Sequence, residues 1–257
     1  MKLLLHNKTT KGSGAAKCIA VLFLVTAALN AGAQLKQNSK DGDHLTLTFR
    51  ITAGDQPLVP GNTYTNPFGE QYTVKKFRYY ITQLQFLDSN STSIQFFPDD
   101  YFIIDAGDSG TQTITIPLSI KKITSMSFLI GVDSVTNVSG VQTGALDPAN
   151  GMFWTWNTGY ITLKLQATSP AALVPANEFT FDVGGYKHGE NVSRKIEFRI
   201  HHKRLVHNIE FKVDVNKLFN GKHNIKIAEH PMCHEPGPLA MQLADNYATM
   251  FSIQQLQ

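Results

Sequence analysis

The sequence predicts an all-β protein: a single antiparallel β-sandwich domain with long loops and little helix. Apolar and polar residues alternate with a period of two in at least four segments, as they do in half-buried strands. The 19 glycines and 11 prolines mark turn-rich connections between these segments. Hydrophobic residues make up 42% of the chain, which allows a sizeable core and excludes disorder over its whole length.

The predicted strands cover most of the chain after residue 44. The strictest alternation lies in residues 196–200 and 209–215. Residues 54–70 are predicted to form a long loop, because they hold three glycines and three prolines. Residues 239–249 are the main stretch that indicates helix. The other predicted strands are 45–51, 71–88 (one long bent strand or two), 101–105, 111–117, 126–132 and 161–165.

The N-terminus has the features of an export signal. A basic stretch precedes an apolar run of twelve residues, 18–29, and Ala-Gly-Ala then provides small residues for cleavage before Gln34. A helix of that length rises about 18 Å, which is short for a membrane span, and an uncleaved anchor is the alternative. We therefore expect a signal peptide over 1–33, a flexible tail over 34–43, one domain over 44–257, export to the periplasm or beyond, and no stable membrane insertion after cleavage.

The charge of the chain argues against a nucleic-acid partner. Four of the 23 basic residues lie in the first 33, so 19 basic residues face 20 acidic ones after cleavage, a formal charge of −1. Such a chain lacks the basic footprint that nucleic acids require. Cleavage also leaves Cys233 as the single cysteine, so no disulfide can form within the mature chain.

The common catalytic signatures are absent from the sequence. It contains no P-loop, no G-x-G-x-x-G after a strand, no G-x-S-x-G and no H-E-x-x-H. Its carboxylates are scattered along the predicted strands, so no acid–base pair can be named. We therefore expect a binding protein rather than an enzyme, and a metal-dependent enzyme is a hypothesis without a dedicated motif.

Both tryptophans lie in one segment, GALDPANGMFWTWNTGY, over residues 144–160. In an extended chain, Trp154 and Trp156 lie on the same face. They could form an aromatic plug of the core or line a surface pocket. An unbroken strand would place both on the face of Lys164, so either residues 157–159 reset the register or the pair lies at a surface pocket.

Soft metal ligands cluster in HPMCHEPGPLAM, over residues 230–241. Thioether, imidazole and thiolate suit Cu(I), whereas zinc prefers a tetrahedron of thiolates and imidazoles. In an extended segment His230, Met232 and His234 share one face, with Cys233 on the other. We predict the first three as copper ligands, and a turn without metal is the alternative. Three further residues are less favoured ligands: Cys233, His202 and His44.

Three stretches resemble the MbnP-like family of exported bacterial copper-binding proteins. They are GVDSVTNVSGVQTGALDPANGMFWTWNTGYITLKL, YTVKKFRYYITQLQF and ADNYATMF, and the resemblance covers roughly residues 44–253. It implies a β-sandwich, copper binding and, in some members, a tryptophan oxidised to kynurenine by a partner di-haem protein related to MauG peroxidases. Either Trp154 or Trp156 would be the modified residue, with Trp154 favoured.

The sequence departs from the family pattern at one position. Relatives often carry a histidine before Ile-Gly-Gly, where this chain has Asp182 before Val-Gly-Gly. An aspartate is a hard, anionic group and a poor Cu(I) ligand. Either copper affinity is lower in this chain, or another histidine substitutes. The sequence thus predicts an exported copper-binding protein, with Cu(I) favoured. The alternative is a binding module for carbohydrate or a surface partner, with the tryptophans as a stacking platform.

Overall fold

A computed structural model describes residues 44–117, 123–157, 159–201 and 205–257. The predicted signal peptide and tail, and the candidate ligand His202, lie outside the described residues.

Strands dominate the described residues, as the alternation predicts. The two α-helices are α1 (Ser134–Val138) and α2 (Pro238–Tyr247). In chain order the strands are β1 (His44–Ala53), β2 (Gln56–Pro57), β3 (Thr63–Thr65), β4 (Gln71–Leu87), β5 (Ser93–Asp105), β6 (Thr113–Pro117), β7 (Ser125–Ile130), β8 (Phe153–Trp154), β9 (Gly159–Thr168), β10 (Glu178–Gly184), β11 (Arg194–Arg199), β12 (Asn208–Asp214), β13 (Met232–Cys233) and β14 (Phe251–Leu256).

The strands form two sheets that enclose the core, which confirms the predicted all-β sandwich. The smaller sheet has the order β14-β12-β1-β2, with β6 also paired to β1. The larger sheet has the order β11-β7-β4-β9-β10-β13, with β3 and β5 paired to β4 and β8 paired to β9. Most pairs are antiparallel, but β1 runs parallel to β12 and β10 runs parallel to β13. Period-two alternation cannot reveal these directions, because it specifies only which face each side chain occupies.

Strand β4 settles whether residues 71–88 form one strand or two. It is a single strand of 17 residues that bends at Gln83, where φ is +50° and the pairing with β5 shifts register. A bulge of this kind lets one long strand curl around a core.

Aromatic rings fill the space between the two sheets. Phe49 of β1 stacks on Phe211 of β12 with ring centroids 5.2 Å apart, and Phe128 of β7 meets Phe211 edge-on at 5.9 Å. Offset and edge-on arrangements are those that aromatic pairs favour. A second, smaller apolar cluster includes Tyr80, Trp154 and Tyr160. It lies on the side of the larger sheet that faces away from the smaller one.

Helix α2 closes one end of the larger sheet, directly after β13. Its residues Leu243, Ala244 and Tyr247 are buried in the core. Helix α2 therefore fixes the chain on the C-terminal side of the predicted ligand segment. Within the part of the chain described, no helix has both the length and the apolar character that crossing a membrane requires.

Candidate functional site

The two tryptophans lie on a tight hairpin. Trp154 of β8 pairs with Gly159 of β9, and the chain turns over residues 155–157. Trp154 is only 5% exposed, whereas Trp156 in the turn is 63% exposed. Their ring centroids lie 5.5 Å apart with an interplanar angle of 41°. The hairpin therefore separates the tryptophans from the register of β9, and it buries one indole while it exposes the other at the surface.

Two consecutive glycines at the end of β10 allow close packing. A Cβ atom on Gly184 would lie 2.7 Å from two ring carbons of Trp154 and 2.9 Å from the carbonyl oxygen of Tyr160. Gly185, directly after the strand, has a φ of +138°, and a Cβ there would overlap the carbonyl oxygen of Glu190. Gly184 is therefore required for the close approach of the indole to the strand, and Gly185 for that of the backbone at residue 190.

A concave pocket opens beside the two indoles. It encloses about 250 Å³ and is lined by Trp154, Trp156, Tyr186, Glu190 and Pro236, among others. We call it the indole pocket. Its lining combines aromatic rings with the carboxylates of Glu190 and Glu235 and the ammonium group of Lys187, a composition that suits a ligand with an apolar body and a few polar groups.

Helix α1 braces the base of the hairpin. The buried side chain of Asn137 donates a hydrogen bond to the carbonyl oxygen of Val132 at 2.8 Å, and its oxygen accepts one from the Tyr160 N–H at 2.9 Å. The hydroxyl of Ser134 donates to the carbonyl oxygen of Tyr186 at 3.0 Å. Both sides of the indole pocket are thus attached to one short helix.

A second depression lies on the other side of Trp156. Its lining includes Trp156, Met232, His234, Pro236 and Leu239, and it encloses about 380 Å³. We call it the methionine–histidine depression. Met232 is 54% exposed, and the side chain of His234 is 42% exposed. A thioether and an imidazole are therefore accessible at one surface beside an indole.

Cys233, between Met232 and His234, also lines this depression, but its side chain is largely covered. It is 5% exposed and forms part of the core between the sheets. Burial, together with the carboxylates of Asp182 and Glu235, raises the pKa of the Cys233 thiol to about 12. The group therefore remains a protonated thiol at neutral pH, which is the poorly ligating form.

The predicted ligands are brought together only in part. Met232 and His234 line the same depression, but His230 is not among its lining residues. The backbone N–H of His230 instead closes a turn by donating to the carbonyl oxygen of Lys226 at 2.9 Å. His44 begins β1 in the smaller sheet and is exposed. Among the described residues, no three His, Cys, Asp or Glu side chains form a metal-binding group.

An ion pair on the larger sheet adjoins the methionine–histidine depression. Lys164 of β9 donates to Oδ2 of Asp182 at 3.0 Å, and the two side chains are only 10% and 11% exposed. Nδ1 of His234 lies 4.0 Å from the same oxygen. The other carboxylate oxygen, Oδ1, is buried and has no hydrogen-bond partner in the part of the chain that the structure describes.

The chain is similar to known proteins both in sequence and in structure. The sequence model of the MbnP family matches residues 42–235, a range that includes the tryptophan hairpin, β10 and β13. The chain belongs to the MbnP family. MbnP from Methylosinus trichosporium has a similar structure, with a TM-score of 0.57 and 15% identity over 82% of this chain and 97% of that one. That likeness shows a shared fold. No curated protein matches the chain.

Membership in the MbnP family suggests a copper-related role and makes the departure at Asp182 informative. The parallel pairing of β10 with β13 brings His234 beside Asp182, so a histidine from the next strand lies next to the position of the expected one. The sequence could not reveal this neighbour or the Lys164 ion pair, because both depend on strand pairing. The one signal available in the sequence was Gly184-Gly185, which indicated that a bulky side chain, Trp154 in the structure, packs closely against the end of β10.

Proposed function

We propose that this MbnP family member is an exported copper-binding protein. Met232 and His234 are the central ligands, and we retain His230, two residues before Met232, as the third ligand although it does not line the depression. The observation that carries the proposal is that the side chains of Met232 and His234 are both accessible and line one depression with Trp156. A thioether and an imidazole together suit Cu(I) better than Cu(II) or zinc.

The segment that carries these donors is held firmly on both sides. Upstream, the carboxylate of Glu70 accepts hydrogen bonds from the backbone N–H groups of Ile227 and Ala228, at 2.8 and 2.9 Å. Downstream, helix α2 is anchored in the core. Pro231 and Pro236 further restrict the backbone. This rigidity lowers the entropy that ordering the donors around an ion would cost.

We further propose that the tryptophan pair is the target of oxidation to kynurenine by a partner di-haem protein related to MauG peroxidases. The exposure of Trp156 supports the proposal, because a partner can reach this indole directly. Trp154 lies within ring contact of it and is the favoured product site. The protein would act as the substrate of that enzyme. In a tryptophan peptide, conversion to kynurenine exchanges one carbon for one oxygen, which mass spectrometry of the co-expressed protein detects.

The ligand assignment is tested by competition titration with Cu(I). We expect Met232→Leu and His234→Ala each to lower the affinity at least about tenfold, or about 1.4 kcal/mol, and His230→Ala to lower it less. Cys233→Ala and His44→Ala are the controls and should bind as the wild type does. Equal affinity in all five variants would contradict the assignment. A loss confined to His44→Ala would move the site to the smaller sheet.

A binding module is the second candidate function. The observation that favours it is the 63% exposure of the Trp156 ring beside the indole pocket, since exposed indoles stack on sugars and other flat ligands. A change in the tryptophan fluorescence of the copper-free protein on addition of oligosaccharides, abolished in Trp156→Ala, would support this function.

Export is tested separately by sequencing the N-terminus of the secreted protein, which should begin at Gln34.

A further inference from the structure

We infer that Asp182 is a positioning residue for His234. Its carboxylate holds the imidazole so that Nδ1 carries the proton and Nε2 is left free to bind an ion. The part of this inference that concerns copper rests on the proposed function. The part that concerns the proton does not, because the tautomer of His234 is a property of the copper-free protein.

Strand pairing establishes the contact. In the parallel pair of β10 and β13, Thr180 lies opposite Met232 and Phe181 lies opposite Cys233. Asp182 and His234 are the next residues after these two pairs, and His234 directly follows the end of β13. The Nδ1 atom of His234 is accordingly the ring nitrogen that approaches the carboxylate, at 4.0 Å from Oδ2.

The carboxylate of Asp182 is more deeply buried than the imidazole of His234. The side chain of Asp182 is 11% exposed, against 42% for His234. Lys164 already donates to Oδ2 at 3.0 Å, which balances the buried charge. A hard carboxylate in this position would be a poor ligand for Cu(I). It suits the outer role instead, in which a carboxylate accepts the N–H of a ligating histidine and fixes its tautomer.

The unpartnered oxygen supports this assignment. Oδ1 of Asp182 is buried without a hydrogen bond from any described residue, and a buried acceptor left without a donor is costly. The separation of 4.0 Å between Nδ1 of His234 and Oδ2 is too long for a hydrogen bond, so this contact is electrostatic. A hydrogen bond from Nδ1–H to the carboxylate requires the two groups to approach by about 1 Å. The Nε2–H tautomer would place a lone pair towards the negative charge.

The plain alternative is that Asp182 serves only to neutralise Lys164. Two substitutions separate these roles. Asp182→Asn removes the charge that faces His234, whereas Lys164→Gln removes the ion pair and keeps the carboxylate. If Asp182 acts only through Lys164, the two variants should affect His234 and copper binding alike.

The decisive measurement is the tautomer of His234 in copper-free, ¹⁵N-labelled protein. Long-range ¹H–¹⁵N correlation spectra are recorded at about pH 8.5, above the ordinary range of imidazole titration, and His234→Ala assigns the signal. We expect the Nδ1–H form in the wild type and in Lys164→Gln. In Asp182→Asn we expect a shift towards Nε2–H, the form that free imidazoles prefer. An Nε2–H form in the wild type overturns the inference even if Asp182→Asn fails to fold.

Cu(I) affinity provides the second measurement. We expect Asp182→Asn to bind Cu(I) about 10- to 100-fold more weakly, as loss of an outer partner of a ligating histidine usually does, and Lys164→Gln to remain within a few fold of the wild type. Equal losses in both variants would reduce Asp182 to a partner of Lys164 and overturn the inference. If His234→Ala leaves Cu(I) affinity unchanged, the proposed ligand set fails, while the tautomer measurement still decides the role of Asp182.

Discussion

The two faces of the larger sheet are built on different principles. On β10, Phe179, Phe181 and Val183 point into the core and are essentially inaccessible. Asp182 and Gly184, which alternate with them, face outward towards Lys164 and Trp154. The inner face is stabilised by ring packing, and the outer face carries the charged and ligating groups.

A similar division occurs at β13 and the residue after it. Cys233 is buried and packs in the core, while Met232 and His234 on either side of it are accessible in the methionine–histidine depression. The main core thus lies on one side of the larger sheet, and the proposed copper ligands lie on the other, beside a smaller buried cluster. Truncations on the inner face should therefore cause the largest losses in the free energy of unfolding. Substitutions of the exposed Met232 and the half-exposed His234 should mainly change the site.

We expect the largest loss in the free energy of unfolding from truncation of a buried ring on the inner face. Phe181→Ala should lower the free energy of unfolding by about 3–5 kcal/mol, because its ring is fully buried and packs on Phe179 with centroids 5.4 Å apart. Its neighbour Thr180 points outward, so Thr180→Ala is the matched control and should cost less than about 1 kcal/mol. Urea denaturation measures both. Similar losses for the two variants would contradict the division between the faces.

An intermediate effect tests the packing of the outer face. Gly184→Ala should lower the free energy of unfolding by about 1–3 kcal/mol, because the added methyl group would overlap the Trp154 ring. The displaced indole should also shift the tryptophan fluorescence. Gly107→Ala is the control, since its Cβ would meet nothing closer than 3.4 Å. An unchanged spectrum and stability in Gly184→Ala would show that the indole does not rest on this strand.

We expect the smallest change in the free energy of unfolding at a group of polar side chains outside both faces of the larger sheet. Asp245 of α2 and the side chains that donate to it form this group, which we call the polar clamp. Partial burial alone would raise the pKa of Asp245 on α2, but hydrogen bonds from Lys222, His223 and Arg194 lower it to about 2. A carboxyl group with a depressed pKa in the folded protein stabilises it above the unfolded pKa of about 3.9, and this contribution is lost as the pH falls towards 2.

Asp245→Asn tests the clamp. Wild type should exceed the variant in free energy of unfolding by up to about 2 kcal/mol near pH 5, and the gap should narrow as the pH falls from about 4 to about 2. Asp55→Asn, which breaks a solvent-exposed pair with Lys212, should show little pH-dependent gap. A gap for Asp245→Asn that is constant with pH would contradict the assigned cause.

Much of the fold could be predicted from residue patterns alone. The alternation in 196–200 and 209–215 corresponds to β11 and β12, and the predicted helical stretch 239–249 overlaps α2, which begins one residue earlier and ends two residues earlier. The directions of the strands could not be predicted, because parallel and antiparallel neighbours show the same alternation. For the same reason, the pairing of β10 with β13, on which the site depends, left no trace in the sequence.

The sequence pattern likewise predicts some features of the candidate site and not others. The i, i+2, i+4 spacing predicted different environments for Cys233 and its neighbours, and Cys233 is indeed buried while Met232 is exposed, although both line the same depression. The same spacing could not place His230, because the chain there closes a turn and leaves the extended conformation. The different exposures of Trp154 and Trp156 likewise arise from the hairpin turn between them and Gly159.

The amino-acid sequence alone specifies which side chains alternate along a strand, where turns interrupt the strands and which metal ligands lie close along the chain. These properties depend on local backbone geometry. The contacts of Asp182 with Lys164 and His234, and the packing of Trp154 against Gly184, exist only in the folded protein. These contacts join residues far apart in sequence. They follow from the register of β9, β10 and β13, which is specified by the packing of the whole core rather than by any one segment.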